Sequence, residues 1–182
     1  MGQKNSYKDF IDPIFIKMKR NSKYIYDKLT EPKVVKISIY ISLLTFLPGL
    51  IFGLIIAIRF GGFEYSIWSN WISELGLPRF TPAPFILDLT CIISSIFVIP
   101  LILNLSRLYS SHQNHKFDNS KKEYYTVLFR RIFGYIGVVS LLVGVVGMFF
   151  IGVFSLDRSP FDLHYYFTVS TFTGFAFGAF SN

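Results

Sequence analysis

The chain has 182 residues, of which 52% are hydrophobic and 19% aromatic; that is one domain's length with more apolar surface than a water-soluble domain needs. Its net charge of +7 does not point to nucleic acid, because Lys and Arg gather at the flanks of apolar runs, which is how membrane proteins set their orientation. The single cysteine, Cys91, lies inside such a run; it excludes an internal disulfide and any cysteine-based metal or redox motif, and reads as an inert buried thiol.

Residues 1–33 form a basic arm, expected on the cytoplasmic side, ahead of a transmembrane helical domain over 34–182. Eight lysines and arginines there face only Asp9, Asp12, Asp27 and Glu31. Phe10, Ile11, Ile14, Phe15 and Met18 recur at roughly helical spacing. Such a segment suits a short amphipathic helix contacting anionic lipid; a solvated positive-inside flank explains the same charges and is the preferred reading. Met1-Gly2 with Ser6 matches a myristoylation pattern too short to carry weight.

No cleaved signal peptide is expected. The first apolar run, Ile37 to Ile58, is 22 residues, about 33 Å as a helix and longer than a signal core. Pro48-Gly49 in its middle is tolerable in a membrane helix, and Gly49, Gly53 and Ala57 repeat every four residues as a flat stripe. Further spans are predicted at about 84–106, 132–156 and 164–182. The third is glycine-rich, and the fourth carries Ser170, Gly174 and Gly178 as a second small-residue stripe. These stripes suit helix association within the chain or in a homo-oligomer. Lys and Arg number nine before the first span, then two, six and one in successive loops, which predicts a multi-pass cell-membrane protein with a cytoplasmic N-terminus and residues 61–83 and 157–163 on the outer face.

The outer loop holds Phe63, Tyr65, Trp68 and Trp71, residues suited to a half-wet interface. Asn70 is expected to cap a short helix through Ser73 and Glu74, with Gly76 as its stop and Pro78, Pro82 and Pro84 holding an extended strap. Asp88 lies about one turn, roughly 5 Å, inside the second span, where a carboxylate needs a partner or a water-filled cavity. His164 is at similar depth on the fourth. Glu74, Asp88 and His164 are therefore the candidates for an outward-opening pocket. They can ligate a divalent cation, or work as a carboxylate–imidazole acid–base pair. They can also pair with Arg79, Arg158 or one another to lock the loops, which is the preferred reading. Ser66 and Ser73 are weak candidate nucleophiles. His112 and His115, three apart in a polar inner loop, read as an exposed linker rather than a metal site. Asp157 and Asp162 share the last outer loop. No hydrolase elbow, phosphate loop, zinc-protease or dinucleotide motif occurs, and no cofactor is expected.

The residues Tyr65-Ser66, Asn70-Trp71-Ile72-Ser73-Glu74-Leu75-Gly76, Pro84-Phe85 with Asp88, then Gly147, Gly152, Phe154 and His164 resemble the domain-of-unknown-function 998 family of prokaryotic integral membrane proteins over about residues 35–180. A fainter likeness extends to the Frag/DRAM/Sfk group of eukaryotic membrane proteins, associated with lipid handling and autophagy. The resemblance implies a six-span bundle, against four spans visible here, so a truncated or shortened form is expected. It also implies Asn more often than Asp at position 88. It implies no established reaction. The expected function is therefore lipid or partner binding at the outer membrane surface, with a membrane-embedded, lipid-acting hydrolase built on His164 and Glu74 or Asp88 as the alternative. A small-solute carrier is disfavoured by the few polar groups at mid-membrane depth.

Overall fold

The computed structural model describes residues 6–111, 121–156 and 159–181, and among these the side chains of 16–110, 125, 127–156 and 159–181. His112, His115, Asp157, Arg158, Met1 and Gly2 lie outside the described residues. All regular structure among the described residues is helical: α1 Ser6–Leu29, α2 Pro32–Phe60, a 3₁₀ helix Ile72–Gly76, α3 Phe85–Ser111, α4 Lys121–Val153, a 3₁₀ turn Pro160–Asp162 and α5 Leu163–Ser181.

Three helices, α2, α3 and α4 from Val127, are long and apolar enough to cross a membrane. They are apolar on all sides, as helices bathed in lipid are. Pro32 opens α2 with its fixed backbone angle, at a position where the missing N–H is not needed. Pro48 and Pro100 sit inside unbroken helices. α4 is 33 residues long and begins well before the expected Ile132. Arg130 and Arg131 obscured its first turns in the sequence, yet about 50 Å of helix exceeds the hydrocarbon thickness, so charged turns extend past it. α5 is less apolar because of its hydroxyls and His164. Thr168, Ser170, Thr171, Thr173 and Ser181 each donate to the carbonyl one turn back, at 2.7–2.8 Å.

The four long helices form an open row. α2 packs on α3, α3 on α4 and α4 on α5, and among the described residues α2 meets neither α4 nor α5 and α3 does not meet α5. The small residues serve these contacts. Gly49 lies against Thr90, Gly152 against the Asp88 carbonyl, Gly134 against Tyr109, and Gly144 and Gly147 against α5. α2 and α3 also exchange hydrogen bonds deep in the row: Ser42 Oγ donates to the Ser94 carbonyl at 3.2 Å and Ser94 Oγ to the Ser42 carbonyl at 3.3 Å. In lipid such a reciprocal pair holds two helices in one register.

The corner between α1 and α2 is clamped to the far end of α3. Thr30 is buried; its carbonyl accepts from Asn104 Nδ2 at 3.1 Å and its hydroxyl oxygen accepts from Arg107 Nη1 at 2.8 Å. Tyr26 donates from its phenol to the Leu103 carbonyl at 3.3 Å. Thr30→Val keeps the shape and deletes the acceptor for Arg107. A hydrogen bond to a charged group contributes about 1.5–3 kcal/mol, and Arg107 is solvent-exposed, so a loss of about 1 kcal/mol is expected in detergent unfolding. An unchanged melting temperature would mean that the corner holds without the clamp.

Candidate functional site

The outer loop between α2 and α3 is built around Asn70 and Glu74. The Asn70 Oδ1 accepts from the Ser66 N–H at 3.0 Å, closing a turn, and its Nδ2 donates to Glu74 Oε2 at 2.8 Å. The same Oε2 accepts from the Trp71 N–H at 3.0 Å, and Oε1 pairs with Arg79 at 3.3 Å. Arg79 lies over the Phe80 ring, which meets Phe63 and Tyr65 edge-on. The Tyr65 phenol is buried and donates to the Trp71 carbonyl at 3.1 Å. Burial, and after it the Glu74 charge, pushes that phenol above its ordinary value.

Two details differ from the expected helix. The residue before the 3₁₀ helix is Trp71, and Asn70 braces the preceding turn instead of capping. Gly76 has no positive φ, so it is not a left-handed stop. Two polar side chains approach it: a Cβ there would lie 3.4 Å from Ser155 Oγ and 3.5 Å from Asp88 Oδ1, in ordinary contact.

Gly76, Asp88 and Ser155 therefore meet where the α2–α3 loop packs on the end of α4, all buried. Ser155 Oγ donates to the Gly76 carbonyl at 3.1 Å, tying the loop to the end of α4. His164 joins through the adjoining residue. Its ring is 5% exposed, and Nδ1 lies 2.8 Å from the Phe154 carbonyl. A carbonyl can only accept, so Nδ1 carries a proton and Nε2 of the neutral ring has a free lone pair. Among the described residues that Nε2 is buried without a hydrogen-bond partner. Ser159 accepts from the His164 N–H at 2.7 Å, and the chain reaches it through Phe161 and Asp162 at φ 53° and 54°. Non-glycine residues held there carry strain of about 1 kcal/mol or more each.

The structure thus brings Asp88 beside Gly76 and Ser155, and His164 to the same end of α4. Glu74 is two residues from Gly76, but its carboxylate is spent on Asn70, Trp71 and Arg79 within its own loop. Ser66 accepts from the Trp68 N–H at 3.3 Å, and Ser73 is half-buried in the 3₁₀ helix. Among the described residues no group of three or more His, Cys, Asp or Glu is placed to hold a metal ion. Ser155 was invisible in the sequence, because a serine at a helix end is commonplace. The two loops at this end carry exposed rings: Trp68 is 91% and Trp71 78% exposed, and Phe161 is similarly bare. No family model, curated protein or solved structure matches the chain.

Proposed function

We propose that the chain is a four-span protein of the cell membrane, with its N-terminus in the cytoplasm, that binds a lipid headgroup at the outer surface through the polar site at His164. α5 counts as a span in this reading because its hydroxyls are satisfied inside the helix, which removes most of their cost in lipid. The Lys and Arg alternation supports the orientation.

One observation carries the binding reading: a buried imidazole nitrogen, an acceptor in the neutral ring, that has no hydrogen-bond partner among the described residues. Leaving such a group unsatisfied costs about 1–3 kcal/mol, so native structures almost always supply a partner. The partner that fits is a hydrogen-bond donor, a hydroxyl or ammonium of a headgroup, guided by the exposed Trp68, Trp71 and Phe161 at the rim. The hydrolase reading is weaker because the Ser155 hydroxyl is turned to the Gly76 carbonyl and Glu74 serves its own loop.

His164→Asn tests this. The Asn amide reaches roughly where Nδ1 was and can still donate to Phe154, but nothing replaces Nε2. Native mass spectra of the detergent-purified protein should show one class of co-purifying lipid on the wild type and about tenfold less on His164→Asn, with thermal stability within about 1 kcal/mol. Equal lipid on both, or none on either, would leave Nε2 to a buried water and remove the headgroup reading. Release of a fatty acid by the wild type, lost in His164→Asn, would instead make the site a hydrolase.

A further inference from the structure

The helix α1 carries an apolar stripe whose Met18 and Ile25 are left exposed among the described residues. At about 100° per residue, Met18, Ile25 and Leu29 fall within roughly 40° of one another. Leu29 is half-buried at the docked end, whereas Met18 is 61% and Ile25 56% exposed. Arg20 and Lys23 fall on the opposite side, together with Ile16, and Lys17, Lys19 and Lys28 border the stripe. Asp27 is the one acid among residues 16–29. Among the described residues, its side-chain hydrogen bonds to the rest of the protein are at the end of the helix, at Tyr26 and the Thr30 corner. α2 starts at Pro32, so where α2 crosses a membrane the docked end of α1 is held at the membrane surface. A solvated flank has no reason to align Met18, Ile25 and Leu29. Lysines bordering an apolar stripe place their stems along lipid and their ammonium groups among phosphates.

From this we infer that α1 is an interfacial helix that binds an anionic lipid surface, with Met18 and Ile25 inserted and Lys17, Lys19, Arg20, Lys23 and Lys28 at headgroup level. The inference rests on α2 being a span, as proposed above. The clamp at Thr30 gives it a structural consequence: the α1 end is fixed to α3 through Leu103, Asn104 and Arg107, so lipid composition at that surface bears on the packing of the row.

The test uses the full chain in nanodiscs of phosphatidylcholine alone or mixed with phosphatidylserine. Single spin labels are placed by Ile25→Cys, Lys23→Cys or Leu44→Cys in a Cys91→Ala background. With phosphatidylserine the Ile25 label should become accessible to oxygen and shielded from a water-soluble nickel chelate, and the Lys23 label should stay open to the chelate. Each basic residue near an anionic surface is worth about fivefold in partitioning, so Lys19→Gln with Lys17→Gln should reduce the inserted fraction about 25-fold. Equal chelate access at Ile25 in both lipids would return α1 to a solvated flank and overturn the inference. Shielding at Ile25 that is independent of phosphatidylserine and accompanied by immobilisation would overturn it in favour of a protein partner. The Leu44 label, on the exposed face of α2, separates the two levels: chelate access there would refute the span itself, whereas a lipid-buried Leu44 with a wet Ile25 refutes only the inference.

Discussion

Gly174→Ala should detach α5 from α4. A Cβ on Gly174 would lie 2.6 Å from both the Gly144 Cα and the Ser140 carbonyl oxygen. These are backbone atoms, so no rotamer change relieves the clash, and the helices must part by about an ångström, forfeiting contacts along the most extensive interface in the chain. Overpacking of this kind costs about 3 kcal/mol, near 10 °C in melting temperature for a chain of this size. Because α5 packs on α4 and, among the described residues, on neither α2 nor α3, the loss should be local. A thiol introduced by Thr171→Cys, buried on the face toward α4, should react with a maleimide about 10 °C earlier in the Gly174→Ala background, while Cys91 in the α2–α3 core reacts at its unchanged temperature. Gly53→Ala is the control. Its nearest atom would be Ile86 Cγ2 at 3.9 Å, so alanine fits and helix propensity favours it by about 0.5–1 kcal/mol. If the two alanines behave alike, close backbone approach is not what holds α5.

Those two glycines mark how far the sequence could be read. Both belong to stripes visible as four-residue repeats, but a stripe names a face without naming its partner. Gly174 meets backbone, and Gly53 meets only the edge of Ile86. The apolar runs themselves were legible because the hydrocarbon thickness sets a length that composition alone reveals. The start of α4 was not, since a helix continues through Arg130 and Arg131 once it leaves lipid. At the end of the row beside the α2–α3 loop, Asp88 and His164, picked out by their place within the spans, are both buried. The separation of Glu74 from them did not follow. Asn70 Nδ2 and the Trp71 N–H lie within four residues of Glu74, and such local donors capture a carboxylate at little entropic cost. Gly76 reads as a helix stop in the sequence, yet its backbone is ordinary and it lies in contact range of Ser155 and Asp88. The Ser42–Ser94 pair spans 52 residues of sequence, and neither serine stands out within its own helix.

Gly152→Ala and Gly76→Ala should separate the architecture of the outer site from its use. Gly152 packs on the Asp88 carbonyl and Ile92, and a Cβ would lie 2.7 Å from Ile92 Cγ1 with the carbonyl closer still. Alanine there must push the last turn of α4 away from α3. That turn leads directly into the Phe154 carbonyl, which fixes His164 Nδ1, and into Ser155, which holds the Gly76 carbonyl. The variant should lose about 2–3 kcal/mol and, with the ring no longer held, the co-purifying lipid as well. Gly76→Ala should act differently. Its φ suits any residue, and its methyl would sit 3.4 Å from Ser155 Oγ and 3.5 Å from Asp88 Oδ1, close but without overlap. Stability should stay within about 0.5 kcal/mol of wild type. The methyl nevertheless occupies the space between the loop and Asp88, so a headgroup entering there should be retained about tenfold less, a difference of about 1.4 kcal/mol in binding, with folding untouched. Retention equal to wild type in Gly76→Ala, together with loss in His164→Asn, would place the headgroup on the α5 side of the site and leave Asp88 and Ser155 with the structural task of closing the loop onto α4. Destabilisation of Gly76→Ala as large as that of Gly152→Ala would show that the loop, α3 and α4 meet there with no room for a ligand at all.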